Sequence, residues 1–173
     1  MGRNILLGIT GSIAAYKAVE LLRLFVKNGD NVKVVMTKAA AEFVQPLTFS
    51  TLSRNPVSID EFAPVKQWNV EHVDLATWAD FVVVAPATAN TIAKMSCGIA
   101  DNLLLSVLLA TKAKVVVAPA MNTAMWENPA TKQNVSILKS RSVKFVEPVE
   151  GSLACGASGN GCLADVAKIF DAV

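Results

Sequence analysis

A doubly wound α/β domain, with a parallel sheet covered by helices on both faces, is the fold class predicted for this 173-residue chain, and three observations predict it. Short β-branched runs alternate with stretches of helical periodicity, the pattern of successive βαβ units. Several of those runs are apolar on both faces, as in Phe81-Val82-Val83-Val84 and Val115-Val116-Val117, which suits strands buried from both sides. No linker, repeat or low-complexity tract interrupts the chain, and its length is that of one compact unit, so residues 1–173 read as a single domain.

The first strand is expected over Ile5 to Ile9. After it Ala14, Ala18, Leu21 and Phe25 fall at i, i+4, i+7 and i+11, an apolar stripe down one helix face, and Asn28-Gly29 stops that helix. Further strands are expected at Val32 to Met36, Pro56 to Ser58, Phe81 to Ala85, Lys114 to Ala118 and Val143 to Val146, the fourth fed by a short helix that follows His72. Glu147 to Ala164 is long, rich in Gly and Ser and nearly without periodicity, so about residues 148–164 read as a mobile loop that closes over a ligand.

Composition narrows the function classes. With 53% hydrophobic and 17% charged residues and a mean hydropathy of +0.43, the chain is more apolar than a typical soluble domain. A membrane span does not account for this, because Lys, Asp or Glu breaks each apolar stretch before the ~18 residues a bilayer needs. Sixteen Lys and Arg against fourteen Asp and Glu, scattered along the chain, give no electrostatic footprint for nucleic acid or an anionic membrane. Met1 to Asn4 leads straight into a strand with no secretion-signal pattern, so a cytoplasmic location is expected. Cys97, Cys155 and Cys162 are odd in number and lack C-x-x-C spacing, which disfavours a disulfide framework. The apolar surplus is then expected to lie against a partner subunit or a flat organic ligand.

Open α/β sheets bind ligands beyond the carboxyl ends of their strands, so the loops there are the ones to read. Gly8-Ile9-Thr10-Gly11-Ser12-Ile13-Ala14-Ala15 turns from strand to helix, where backbone N–H groups and small residues receive phosphate. It is not G-x-G-x-x-G, and Met36-Thr37-Lys38 replaces the acid that would hold an adenosine ribose, so a mononucleotide fits better than NAD; a tight turn capped by Ser12 is the alternative. Ala85-Pro86-Ala87-Thr88-Ala89-Asn90-Thr91 and Ala118-Pro119-Ala120-Met121-Asn122-Thr123-Ala124-Met125-Trp126 share one plan, an apolar strand followed by Ala-Pro-Ala and then small and amide residues. Their hydroxyls and amides suit the polar edge of a heterocycle, while Met121, Met125 and Trp126 taken alone read as core. Asn122, as a buried amide, needs a helix cap or a ligand to satisfy it.

His72, the only histidine, is of the residue type suited to proton transfer near neutrality, with a surface or capping role as its alternative; no zinc-ligand spacing joins it to the cysteines. Cys155 sits in a glycine-rich stretch poorly suited to core packing, whereas Cys97, at a helix end, reads as core.

Gly11-Ser12, His72, the string Pro119-Ala120-Met121-Asn122-Thr123-Ala124-Met125-Trp126 and Ala154-Cys155-Gly156 together resemble the homo-oligomeric flavin-containing cysteine decarboxylases. The similarity runs from about Arg3 to Ile169 and is most specific at P-x-M-N-x-x-M-W; Thr37, Ala39-Ala40-Ala41, Phe43, Pro46-Leu47-Thr48-Phe49 and Gly98-Ile99-Ala100-Asp101 also fit it. The resemblance implies a Rossmann- or flavodoxin-like domain holding FMN, with the phosphate at Gly11, Ser12 and Ile13 and the ring near Ala87, Thr88, Asn90 and Met121. Thr37 and Ser106 complete that set, and Asn122, Met125, Ala154, Cys155 and Gly156 form the substrate side.

Within the family, the branch implied is the one that decarboxylates phosphopantothenoylcysteine to phosphopantetheine in coenzyme A biosynthesis. Loss of CO2 from a cysteine carboxyl leaves electrons on Cα, so oxidation at Cβ to a thioaldehyde must come first. The C=S group then accepts the electrons as an enethiolate, and reduction at Cβ with protonation at Cα ends the cycle without net redox change. By the resemblance His72 is base or substrate orienter, Asn122 holds the substrate carboxylate and amide, and Cys155 gives the last proton. Peptidyl-cysteine decarboxylases of modified-peptide pathways share the His and P-x-M-N motifs but stop at the enethiol, so Cys155 favours the coenzyme A branch; a non-catalytic FMN-binding regulatory protein is a further alternative.

Ala157, Cys162 and Asn102 depart from residues usual in the family, respectively an acid, Arg and a second Asp, and Cys162 stands as an alternative proton donor. Many members also carry a ligase domain, so a chain ending at Val173 either acts alone or is a fragment. The expected assembly is a trimer, or a dodecamer of trimers, with active sites shared between chains.

Overall fold

The computed structural model describes residues 2–60, 70–152 and 158–173. Strands β1 (Asn4–Ile9), β2 (Asn31–Met36), β3 (Val57–Ser58), β4 (Phe81–Ala87), β5 (Lys114–Pro119) and β6 (Lys144–Phe145) form one parallel sheet in the order β3-β2-β1-β4-β5-β6. The chain winds outward from β1 to β3, then returns to the other side of β1 and winds outward again. The order reverses between β1 and β4, and there the loops on the two sides diverge to leave a crevice.

Why the strands are apolar on both faces is plain from the packing. Ile5, Leu7 and Ile9 of β1 and Val83 and Ala85 of β4 face one core with Leu21, Leu22 and Phe25 of α1 (Lys17–Lys27). Their neighbours Leu6, Val82 and Val84 face a second core. Short helices α2 (Lys38–Ala41) and α3 (Pro46–Ser53) follow β2, and Phe49 of α3 joins the first core. The second core is roofed by α4 (Glu71–Trp78), α5 (Ala89–Cys97) and α6 (Leu103–Ala110), with Leu75, Ile92, Leu103 and Leu104 fully or nearly fully buried. After β5 come α7 (Thr123–Glu127) and α8 (Pro129–Ser140). At the end of the chain α9 (Val166–Asp171) lies along α1, where Phe170 meets Phe25 with ring centroids 5.3 Å apart.

A buried ion pair ties the amino terminus to the turn before β2. Asp30, its side chain 1% exposed, accepts from Arg3 Nη2 at 2.7 Å, Arg3 Nε at 3.1 Å, the Arg3 backbone N–H at 3.0 Å and Asn28 Nδ2 at 3.1 Å. Burial pushes the Asp30 carboxyl up, but the hydrogen bonds from Arg3 and Asn28 outweigh it and hold the group below the usual aspartate value.

Two expectations change. Within the stretch expected as a loop over residues 148–164, the described segments β7 (Val149–Ser152) and β8 (Ser158–Cys162) pair as the two strands of an antiparallel hairpin. Its Gly, Ser and Asn side chains carry no apolar alternation, so the backbone hydrogen bonds that make it leave no trace in hydropathy. Cys97, expected in the core, is the last residue of α5 and is exposed, because the chain leaves the helix at Gly98 in the left-handed conformation (φ +72°).

Candidate functional site

A cavity of about 630 Å³ opens at the carboxyl ends of the strands, where the strand order reverses. Its first wall is the turn after β1 and the 3-10 segment Ile13–Tyr16 leading into α1: Gly11, Ser12, Ile13, Ala14, Tyr16 and Lys17. Ser12 caps this turn, its Oγ accepting from the Ala14 N–H at 3.3 Å. Gly11 is required by close packing, since a Cβ there would stand 2.6 Å from the Cβ of Ala39 in α2.

The second wall, after β4, is Thr88 and Ala89. Thr88 caps α5 through the Thr91 N–H, and its hydroxyl lies 3.1 Å from that of Thr91. The third, after β5, is Ala120, Met121, Asn122 and Met125; Asn122 Oδ1 accepts from the Ala124 N–H at 2.8 Å and so caps α7. Asn122 is exposed at the cavity, not buried as its sequence context suggested, so the cap is formed in view of solvent. Ala120 N–H donates to Ala87 O at 3.0 Å and holds the second and third walls together.

The fourth wall comes from the hairpin. Gly161, Cys162 and Leu163 line the cavity, and Met121 N–H donates to Gly161 O at 3.0 Å. A Cβ on Gly161 would lie 2.2 Å from Met121 O, so only glycine lets the strand come this near. Thr123 Oγ1, buried and without a hydrogen-bond partner among the described residues, packs against Gly159 of the same strand.

The residues expected from sequence divide sharply. Gly11, Ser12, Ile13, Thr88, Met121, Asn122 and Met125 line the cavity. Ala87 and Thr37 are not among the lining residues: Ala87 is fully buried at the end of β4, and Thr37 caps α2, accepting from the Ala40 N–H at 3.2 Å. Asn90 is exposed on the first turn of α5, and Ser106, half-buried on α6, is not on the cavity wall. Ala154, Cys155 and Gly156, together with Ala157, lie outside the described residues. Trp126 is core, at 2% exposure, while Met125 of the same short helix is about half exposed.

His72 is not brought to this cavity. It is half-buried in the first turn of α4, whose Glu71 is hydrogen-bonded to Ser58 of β3, the outermost strand. Adjacent strands are about 4.8 Å apart, so the start of α4 stands beside an edge separated from the β1–β4 crevice by β2. Tyr16, Lys17, Ala89, Gly161 and Leu163 line the cavity without having been singled out in the sequence. For Tyr16 and Lys17 a signal existed, because they follow Ile13 by three and four residues and share its helix face.

The chemistry of the lining is polarised. The glycine turn and Lys17, the one Lys or Arg among the lining residues, lie on one side, and Met121, Met125 and Leu163 are soft apolar surface elsewhere on the wall. Such a site suits a flat apolar ring system carrying an anionic tail. A second cavity, about 460 Å³, lies near the amino end of β5 between Leu105, Leu108 and Leu109 of α6 and Lys112, away from the strand ends where α/β sheets bind ligands.

Comparison with known proteins is consistent with that lining. Residues 1–173 match the Flavoprotein family. The coenzyme A biosynthesis bifunctional protein CoaBC of Bacillus subtilis (strain 168) is 49% identical over 167 residues, 96% of this chain but 41% of the relative, so the chain spans about two fifths of that protein. A protein named "Probable phosphopantothenoylcysteine decarboxylase" from Streptococcus mutans serotype c is 44% identical over 175 residues, 100% of this chain and 98% of its own length. Among solved structures, a PPC decarboxylase Cys-to-Ser mutant complexed with pantothenoylaminoethenethiol superposes with a TM-score of 0.90 at 33% identity, covering 99% of this chain and 96% of the other. The FMN binding protein AtHal3 superposes with a TM-score of 0.86 at 33% identity, covering 99% and 95%.

Proposed function

The chain belongs to the Flavoprotein family, and from that premise we propose that it is an FMN-dependent carboxy-lyase that converts phosphopantothenoylcysteine to phosphopantetheine in coenzyme A biosynthesis. The observation that carries this reading is the cavity itself, which joins a glycine turn and a lysine to Met121 and Asn122 within one space at the strand ends. Its residues fit FMN: the Gly11 cradle admits no Cβ, Ser12 and Lys17 offer polar and cationic groups to a phosphate, and Thr88 and Met121 offer a hydroxyl and a soft apolar surface to the ring. FMN supplies, when bound, a reversible hydride acceptor for the substrate Cβ.

This chain's own residues do the rest. The Asn122 side chain, oriented by its cap on α7, holds the substrate carboxylate and amide at the cavity mouth. Burying that carboxylate against Met125 and Leu163 favours its departure as neutral CO2. The Cys155 thiol delivers the final proton to Cα, with Cys162, already on the cavity wall, as the competing donor. His72 acts as base or orienter in a neighbouring subunit's site, since in its own chain it stands beside β3.

The proposed assembly is a homo-oligomer, either a trimer or a dodecamer of trimers, in the cytoplasm. Ile13 and Tyr16, each 56% exposed, and Met125, 49% exposed, ring the cavity and would be covered by a second copy. Among the described residues no helix is long and apolar enough to cross a membrane.

The deciding experiment is anaerobic incubation of the purified yellow protein with phosphopantothenoylcysteine, followed by mass detection of CO2 loss, beside a peptide ending in cysteine. Loss of CO2 from the small substrate alone is expected. Turnover of the peptide alone would assign the chain to peptide modification, and a colourless protein inert to both would end the proposal.

A further inference from the structure

Thr10 lies just before the glycine turn, is 1% exposed and is not part of the cavity wall. Its hydroxyl donates to Pro86 O at 2.7 Å and accepts from the Thr88 N–H at 3.0 Å, while its backbone N–H also reaches Pro86 O at 3.3 Å. The partners are 76 and 78 residues away in sequence, so one buried hydroxyl stitches the end of β1 to the turn after β4. The two segments it joins are the first and second cavity walls. Each is fixed on its far side as well: Gly11 abuts Ala39, and Thr88 caps α5.

We propose that Thr10 is a positioning residue for the cofactor, setting the gap between the wall that takes the phosphate and the wall that takes the ring. The proposal rests on the FMN reading of the cavity. A ligand that spans two walls gains from both only if their spacing is preset, because otherwise part of its binding energy is spent in bringing them together. The Thr10 hydroxyl is suited to this role because it engages the second wall at both Pro86 and Thr88 and is shielded from competing water. A role confined to folding would affect every flavin alike. Positioning instead affects the advantage of a ligand that has a phosphate over one that lacks it.

The test uses the full chain stripped of flavin, with FMN and riboflavin titrated separately by quenching of flavin fluorescence. In the native chain FMN binds more tightly than riboflavin. In Thr10→Val, which keeps the shape and removes both hydroxyl bonds, that preference falls by about tenfold or more, since each lost buried hydrogen bond contributes on the order of 1 kcal/mol. In Thr10→Ser, which keeps the hydroxyl, it stays within about threefold of native. A Val variant that retains the native preference, or that weakens both ligands equally, overturns the inference. So does a Ser variant that loses the preference, which decides the matter even if the Val variant does not fold. A native chain that binds riboflavin as tightly as FMN overturns the phosphate reading of the glycine turn itself, an outcome distinct from the other three.

Discussion

Met121 donates its backbone N–H to the carbonyl of Gly161 across 3.0 Å, joining the turn after β5 to the second strand of the hairpin. Because a Cβ at 161 would stand 2.2 Å from Met121 O, Gly161→Ala must push the two apart. The expected result is a loss of about 1–3 kcal/mol in denaturant unfolding together with weaker flavin retention. Full stability and full flavin content in Gly161→Ala would mean that this contact gives way at no cost.

Asn122 carries a capping role and a proposed catalytic role that two substitutions separate. Asn122→Asp keeps the oxygen that caps α7, so stability should change little, but it replaces an amide donor with a charge that repels the substrate carboxylate. Asn122→Ala loses the cap as well, at about 1 kcal/mol. Both should lower kcat/KM by about 10²–10³, and thermal melting should distinguish them.

The Arg3–Asp30 pair predicts an acid limb in stability. Asp30 is held below its ordinary value, so its contribution is complete where the unfolded carboxyl is ionised, above about pH 4, and fades as pH falls through the folded value. Asp30→Asn should lose about 2–3 kcal/mol at pH 7 and show a flatter decline below about pH 4 than the native chain. Parallel urea titrations at several pH values would measure both.

Cys155 and Cys162 compete for one role, and the products tell them apart. Replacing the true donor by Ser should leave CO2 release in place and let the enethiol accumulate, while replacing the other should leave phosphopantetheine as the product. Mass spectrometry of quenched reactions separates the two species by two hydrogens.

His72 stands beside β3 while Asn122 lines the β1–β4 crevice, so a shared site predicts complementation. His72→Asn and Asn122→Ala chains, each depressed by about 10² or more when alone, should recover part of the native rate when refolded together. No recovery in mixed assemblies would place both residues in one chain's site.

Much of this architecture was legible in the sequence, for identifiable reasons. Val82-Val83-Val84 and Val115-Val116-Val117 announced central parallel strands because both of their faces are buried, and the stripe from Ala18 to Phe25 announced α1 because only one of its faces is. The cavity turns could be read because they follow strand ends. The hairpin could not, since its pairing is made largely by the backbones of Gly, Ser and Asn residues. Nor could the distance of His72 from the crevice, which depends on which strand α4 begins beside, a matter of tertiary placement that no local pattern encodes.

The pairing of β1 with β4 also has a bearing on how the chain acquires its shape. Ile5 pairs with Phe81 across the whole β2 and β3 segment of the chain, so the central seam is among the more entropically costly contacts to close. The Thr10–Pro86 bond lies at the end of that seam, so the cofactor cleft depends on the same long-range closure. Free flavin, binding only the finished seam, would draw the folding equilibrium forward by mass action, so cofactor supply should govern how much of the protein survives its own synthesis.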